Sequence, residues 1–255
     1  MRICFCQWTK ENFISHLNNM NMESSILITY GYVFLMMIVA YLLGSIPSAV
    51  WIGKHFYGVD IREHGSKNAG ATNMLRVLGK RAAMPVFVLD YFKGFVAVML
   101  IGLLSRAGIS EVWVTNLQIL GVFVAILGHI FPIFANFRGG KGVATLVGAV
   151  TAIDPVIVLS CLGVWFIIFL LTHYVSLASM IAGCCFPILV GAVSVVAWSK
   201  NEDVSITLIV FSVVIAGLLI WSHRSNIERL KSGTESKIYL FGKQAENNNK
   251  QEKKE

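Results

Sequence analysis

Long apolar runs separated by short polar segments dominate this chain. Runs at about 26–53, 82–104, 112–135, 155–171, 176–197 and 204–222 approach or exceed the roughly 20 residues that a helix needs to cross a bilayer. Each predicts a spanning helix. A shorter stretch, VATLVGAVTAI at 143–153, ends on the turn signal Asp154-Pro155. A helix of that length rises only about 16 Å, against a hydrocarbon core of about 30 Å.

Charge between the runs decides how to treat the short stretch. The 54–81 segment carries Lys54, Arg62, Lys67, Arg76, Lys80 and Arg81, and the C-terminal segment carries Arg224, Arg229, Lys231, Lys237 and Lys243. The 105–111 loop has only Arg106 and Glu111, and the 198–203 loop sets Lys200 against Glu202 and Asp203. Loops rich in Lys and Arg stay in the cytoplasm. If 143–153 crosses, both basic segments face the cytoplasm; if it does not, the basic C-terminus ends up outside. The pattern therefore predicts an all-α integral membrane protein with seven transmembrane helices. One is short and shielded by its neighbours, the N-terminus is periplasmic and the C-terminus cytoplasmic. Small residues at Gly44 and Ser48, and at Ala49 and Gly53, predict close helix packing in the first span.

Composition agrees. Only 14% of the 255 residues are charged, against about a quarter in a soluble domain, and mean hydropathy is +0.69. The net charge of +7 sits largely in loops, so it speaks for topology and not for nucleic acid. Five cysteines, an odd number without a CxxC, support neither a disulfide framework nor a zinc site. Residues 1–25 lack the apolar core and cleavage site of a signal peptide. They read as a disordered or dispensable extension, with Met20 and Met22 as later candidate starts, and deleting residues 1–21 is expected to leave activity intact. Residues 26–243 form the membrane domain, and 244–255 a disordered polar tail.

Seven crossings gather four polar segments on one face. DIREHGSKNAGATNMLRVLGK, 60–80, offers many donors on a glycine-bearing backbone, among them Ser66, Lys67, Asn68, Asn73 and Arg76. NFRGGKGVAT, 136–145, combines Gly139, Gly140, Lys141 and Gly142 with a helix expected from about Val143. Glycines let N–H groups approach an anion, and the helix start adds a positive dipole end. It is not a Walker A loop, because Gly142 follows the lysine and Ala135 holds the earlier glycine position. THYVS, 172–176, is a short turn. HRSNIERLKSGTE, 223–235, places His223 and Asn226 three apart, on one face if the last helix continues. Asp90 and Lys93 lie within the second span, where charges are costly and pair. They either pair with each other or support the site. HFYGVD, 55–60, matches an HxxxxD acyltransferase pattern, but two fixed residues recur easily by chance.

Together GSIPSA (44–49), GVDIREHGSKNAGATN (58–73), GGKGVAT (139–145) and HRSNIERLKSGTE (223–235) resemble the bacterial acyl-phosphate:glycerol-3-phosphate acyltransferases, the PlsY family. DYFKG (90–94) and GHIFPIF (128–134) look like it too. The resemblance spans about residues 26–243. It implies a multi-pass enzyme of the bacterial inner membrane whose active site faces the cytoplasm. Such an enzyme makes lysophosphatidic acid from acyl phosphate and glycerol 3-phosphate, the first acylation of phospholipid synthesis. It implies catalytic roles for Ser66, Arg76, His223 and Asn226. Glycerol 3-phosphate binding falls to Gly139, Gly140, Lys141 and Gly142, and we add Asn68 and Asn73 as donors. Glu235 is expected to be structural and Asp90 and Lys93 supporting.

Two phosphates and an already activated mixed anhydride need positioning and charge neutralisation, with no covalent enzyme intermediate. His223 has the intrinsic pKa of a general base, Ser66 could polarise or position the hydroxyl, and the donor phosphate could itself take the proton; substrate assistance, with His223 orienting, is the favoured route. No metal and no cofactor are expected. The partners are the two substrates and membrane lipid, with no nucleic acid and a functional link to the enzyme that forms acyl phosphate. The rival reading is an organophosphate transporter, which would place its site near the midplane between internal repeats.

Overall fold

The first apolar run folds as two helices where hydropathy predicts one. α1 (residues 29–44) ends at Ser45, and α2 (Ser48–Tyr57) restarts after Pro47. Proline has no N–H to donate and pushes the residue before it away from helical geometry. The helical ladder therefore opens in the middle of the run. The computed structural model describes residues 27, 29–107, 109–200 and 205–239. The extension 1–25 and the tail 244–255 lie outside the described residues.

The 60–80 segment, read from sequence as a bendable loop, holds a 3₁₀ turn (Ile61–Glu63) and a helix, α3 (Ala71–Leu78), with Asn73 and Met74 buried and Gly79 at its end. Then come α4 (Lys80–Gly102), α5 (Glu111–Ile130), α6 (Val143–Thr151), α7 (Pro155–Thr172), α8 (Val175–Ser199), α9 (Ile206–Ser222) and α10 (Arg224–Lys231). α7 starts where its sequence says it should: Pro155 occupies the first turn, and the Asp154 carboxylate accepts from Val156 N and Ile157 N at 2.9 and 3.0 Å. That satisfies two orphan donors. α9 and α10 meet at a 55° bend at His223, so the last helix does not run straight past the interface as the spacing of His223 and Asn226 assumed.

By length and apolarity, five of the described segments can cross a membrane, or six if α9 and α10 count as one. The fold is thus an all-helical integral membrane protein with multiple passes. The nine residues of α6 rise only about 14 Å. They pack between α4, α5 and α7, which keeps the short helix away from lipid. Glycine makes the α4–α6 contact possible. A Cβ on Gly94 would overlap Thr145 O, and one on Gly148 would overlap Tyr91 O, so the two backbones touch as in small-residue membrane packing. Of the small residues singled out in the first run, Gly44 abuts the Ala125 backbone of α5, whereas Gly53 abuts Val59 O of its own loop.

A buried polar network sits where the first run breaks. The Lys93 ammonium lies 2.7 Å from the Asp90 carboxylate and donates to Ile46 O at 2.8 Å. Ser48 donates to the same carboxylate oxygen. The carbonyl freed by the break therefore receives the lysine. His129 Nδ1 lies 3.7 Å from Asp90 and 3.0 Å from Thr145 Oγ1, joining α2, α4, α5 and α6. Removing one partner of a buried pair strands a charge and costs about 3–5 kcal/mol, whereas replacing both is often nearly neutral. Asp90→Leu should therefore lower the thermal midpoint of the detergent-solubilised protein sharply, and Asp90→Leu/Lys93→Leu should recover part of the loss. Additive losses would show that the two do not act as a pair.

Candidate active site at the glycine-rich loop

The chain turns back after α5 through another 3₁₀ turn (Ile133–Ala135) and residues 136–142. Gly139 N donates to Ile130 O at 3.1 Å and Gly140 N to His129 O at 3.2 Å. These bonds occupy orphan carbonyls at the end of α5. A Cβ on Gly139 would overlap His129 O; one on Gly140 would overlap His129 Nε2 and lie 2.7 Å from Ala69 O. These two glycines shape the loop and press it against the 60–80 segment. Their N–H groups serve α5, and the N–H groups that open α6 at Val143 lie outside its helical ladder. Gly140→Ala should abolish activity while the protein still inserts. Normal turnover by that variant would show that the close approach is not required.

Lys141, unlike the exposed Arg138, is turned inward. Its ammonium donates to Asn226 Oδ1. Asn226 Nδ2 donates to Glu235 Oε1 at 2.8 Å, Ser176 Oγ donates to the same oxygen at 2.9 Å, and Arg229 Nε donates to Oε2 at 2.6 Å. Glu235, expected to be structural, is thus the hub joining the glycine loop, the start of α8 and α10. Burial alone would raise its carboxyl, but hydrogen bonds from Arg229, Asn226 and Ser176 hold it below its ordinary value. Burial, followed by the Arg229 charge, pushes the Lys141 ammonium down to about 8.

Arg76, from α3, faces this cluster. Burial lowers its guanidinium, and the Glu235 charge partly offsets that. Its Nε is buried and has no hydrogen-bond partner among the described residues. Lys141, Arg76, Arg229 and Arg224 set against Glu235 leave a net positive surplus. That is the complement of a phosphate monoester, which carries about −1.5 to −2 at neutral pH.

His223 is buried at the bend, with Nδ1 2.8 Å from Leu219 O. A carbonyl only accepts, so Nδ1 carries the proton and the neutral ring keeps Nε2 as an acceptor. Ser66 sits half-buried in the turn of the 60–80 segment. Its N–H donates to Asn73 Oδ1 at 2.9 Å, and Asn73 Nδ2 donates to Ile61 O and His64 O, both at 3.0 Å. The Asn73 amide is thus spent on holding the turn that contains Ser66. Asn68 is half-buried in the same turn, and its O accepts from Gly70 N at 3.0 Å. Asp60, the acid of the HxxxxD match, is taken up by Arg62 and Lys54 at 2.7 and 3.0 Å. Asp90 and Lys93 stay apart in their own network, linked to the loop through His129.

An apolar cavity of about 580 Å³, counting the open space at its mouth, lies between α6, α7, α8 and α9. Val143 and Leu219 line it. Val143 follows Lys141 and Gly142 in the chain, and Leu219 O is the acceptor for His223. The greasy cavity and the cationic cluster therefore share one rim. Sequence reasoning missed Arg229, Ser176, His129 and Thr145 as parts of this arrangement.

Comparison with known proteins agrees with this geometry. Residues 34–233 match the family described as glycerol-3-phosphate acyltransferase. A glycerol-3-phosphate acyltransferase of Staphylococcus carnosus is 44% identical over 209 residues, covering 81% of this chain and 98% of the relative. One from Thermoanaerobacter sp. is 42% identical over 207 residues, covering 81% and 96%. Among solved structures, the glycerol 3-phosphate form of PlsY (YgiH), an integral membrane glycerol 3-phosphate acyltransferase, superposes with a TM-score of 0.70 at 37% identity, covering 82% of this chain and 96% of that one. Its lysophosphatidic acid form gives 0.67 with the same identity and coverage. With a family match across most of its length and relatives above 40% identity, the chain belongs to the glycerol-3-phosphate acyltransferases of the PlsY family.

Proposed function

We propose that this chain transfers a fatty acyl group from acyl phosphate to glycerol 3-phosphate, releasing phosphate and 1-acyl-glycerol 3-phosphate. The observation that carries the reading is the surplus of positive charge from Lys141, Arg76, Arg229 and Arg224 over Glu235 at the rim of an apolar cavity. Such a rim holds a phosphate in water and a chain in grease. The glycerol hydroxyl oxygen attacks the acyl carbonyl carbon, the bond from that carbon to the phosphate oxygen breaks, and phosphate leaves with the electron pair. The hydroxyl proton passes to a phosphate oxygen. His223 Nε2 orients the hydroxyl, and Ser66 and Arg76 position the phosphates. Lys141 with Asn226 binds glycerol 3-phosphate, while Asn73 acts through the turn it holds. Little else is required, because the donor is already activated.

We place the basic segments and the site on the cytoplasmic side of a bacterial inner membrane, with α6 as a seventh, short crossing and the N-terminus periplasmic. Glycerol 3-phosphate then arrives from the cytosol and the donor from the bilayer or from the enzyme that forms it. The organophosphate transporter gains no support, since Lys141, Arg76 and Arg229 cluster around the loops and the mid-helix cation Lys93 is taken up by Asp90. The reading is tested with purified protein in lipid vesicles, labelled glycerol 3-phosphate, and either palmitoyl phosphate or palmitoyl-CoA. Label should enter lysophosphatidic acid only with palmitoyl phosphate. Equal use of the CoA ester would overturn the choice of donor.

A further inference from the structure

The phosphate site is assembled from two separate segments whose charges repel. Arg76 comes from α3 and Lys141 from the loop after α5, and each meets the other's positive charge. One tie between the segments is the close approach of Gly140 to Ala69 O. A second is Arg62, whose Nη1 donates to Ala135 O at 2.9 Å across 73 residues of sequence. Ala135 is buried and closes the 3₁₀ turn that leads into the glycine loop.

The guanidinium is itself held. Its Nε and Nη2 donate to the two carboxylate oxygens of Asp60 at 2.9 and 2.7 Å, and Arg62 N donates to Oδ1 at 3.0 Å. Lys54, in the last turn of α2, lies 3.0 Å from Oδ2. A two-pronged pair of this kind fixes a guanidinium in direction as well as position, which leaves Nη1 aimed at the carbonyl. The pair is also largely shielded, its side chains 13% and 12% exposed, whereas a fully exposed pair would contribute little. Hydrogen bonding by Arg62 holds the Asp60 carboxyl well below its ordinary value, so the grip is intact at neutral pH.

We propose that Arg62 is a positioning residue. Gripped by Asp60, it pins the 60–80 segment to the turn entering the glycine loop, and so sets the spacing at which Arg76 and Lys141 meet one phosphate. The proposal rests on the phosphate reading of the Lys141 cluster and adds what holds its two halves in register. Arg62 acts through the loop and not by contact with substrate. Lysine cannot replace it, because an ammonium is a point charge without the fork that serves a carboxylate and a carbonyl together.

The test measures kcat and KM for glycerol 3-phosphate, with saturating palmitoyl phosphate, alongside thermal midpoints. The proteins are wild type, Arg62→Gln, Arg62→Lys, Lys141→Ala and Arg62→Gln/Lys141→Ala. Arg62→Gln should raise KM about tenfold with kcat much less changed, since small misplacements of a binding group cost on that order or more. In the Lys141→Ala background the same substitution should raise KM by no more than about twofold, because the group it positions is gone. Arg62→Lys should keep the wild-type midpoint and still raise KM about threefold or more. An unchanged KM in Arg62→Gln, or an equal effect in both backgrounds, overturns the proposal and leaves Arg62 a folding residue only. So does a wild-type KM in Arg62→Lys, which also decides the matter should Arg62→Gln fail to fold. Lys141→Ala with a wild-type KM would instead overturn the phosphate reading beneath it.

Discussion

Lys141→Ala should lower kcat/KM for glycerol 3-phosphate by about 100-fold, chiefly through KM, with the acyl donor's own KM much less affected. Loss of one preorganised donor to a developing or bound phosphate charge in a desolvated site costs on that order. Lys141 is poised for this because Asn226 fixes its ammonium while burial withholds water from it. The same burial makes the contact pH-sensitive. Its ammonium sits at about 8, so the charged form needed by the phosphate is lost as pH rises through that value. At the acid end the phosphate monoester gains its second charge only above about pH 6. The profile of kcat/KM should therefore be a bell with an alkaline limb near 8, and Lys141→Arg should move that limb upward, because a guanidinium keeps its proton. A flat alkaline profile would remove Lys141 from phosphate binding.

Glu235→Ala should be more damaging still to the protein as a whole. It strips Asn226, Ser176 and Arg229 of their shared acceptor and leaves Lys141, Arg76 and Arg229 repelling one another. Stranding buried partners in this way costs about 3–5 kcal/mol, so the thermal midpoint and activity should fall together. Glu235→Gln keeps an acceptor without the charge and should retain part of the stability while weakening the placement of Lys141. The carboxyl is held below its unfolded value, so its contribution is complete at neutral pH. That contribution is lost only as acid takes the pH down through the folded value. Wild-type kinetics and stability in Glu235→Ala would show that the hub neither organises nor supports the site.

The parts of this account that depend on local pattern were legible in the sequence. Apolar runs located the spans, Asp154-Pro155 located the start of α7, and an i,i+3 charge pair located Asp90 with Lys93. The glycines and the lysine of 139–142 marked the loop where Lys141 turns inward to Asn226. What sequence could not give were relations between distant segments. The second partner of Lys93, beside Asp90, is a carbonyl released by a break at Pro47, which hydropathy averages away. α3 hides in a polar stretch because only Met74 and a few half-buried neighbours form its apolar face. Glu235 lies 59 residues from Ser176 and nine from Asn226, and no spacing rule joins all three. The glycine loop was read as a set of N–H donors, but two of its glycines are needed for the close approach of His129 and Ala69, a steric demand visible only in three dimensions.

The central claim is that acyl transfer to glycerol 3-phosphate occurs at the Lys141 cluster. It is tested most directly by phosphate release from palmitoyl phosphate in lipid, with and without glycerol 3-phosphate, in wild type and Lys141→Ala. The account predicts release that requires glycerol 3-phosphate, matches lysophosphatidic acid mole for mole, and needs far more glycerol 3-phosphate in the variant. Release that proceeds equally without glycerol 3-phosphate, or a variant indistinguishable from wild type, would contradict it.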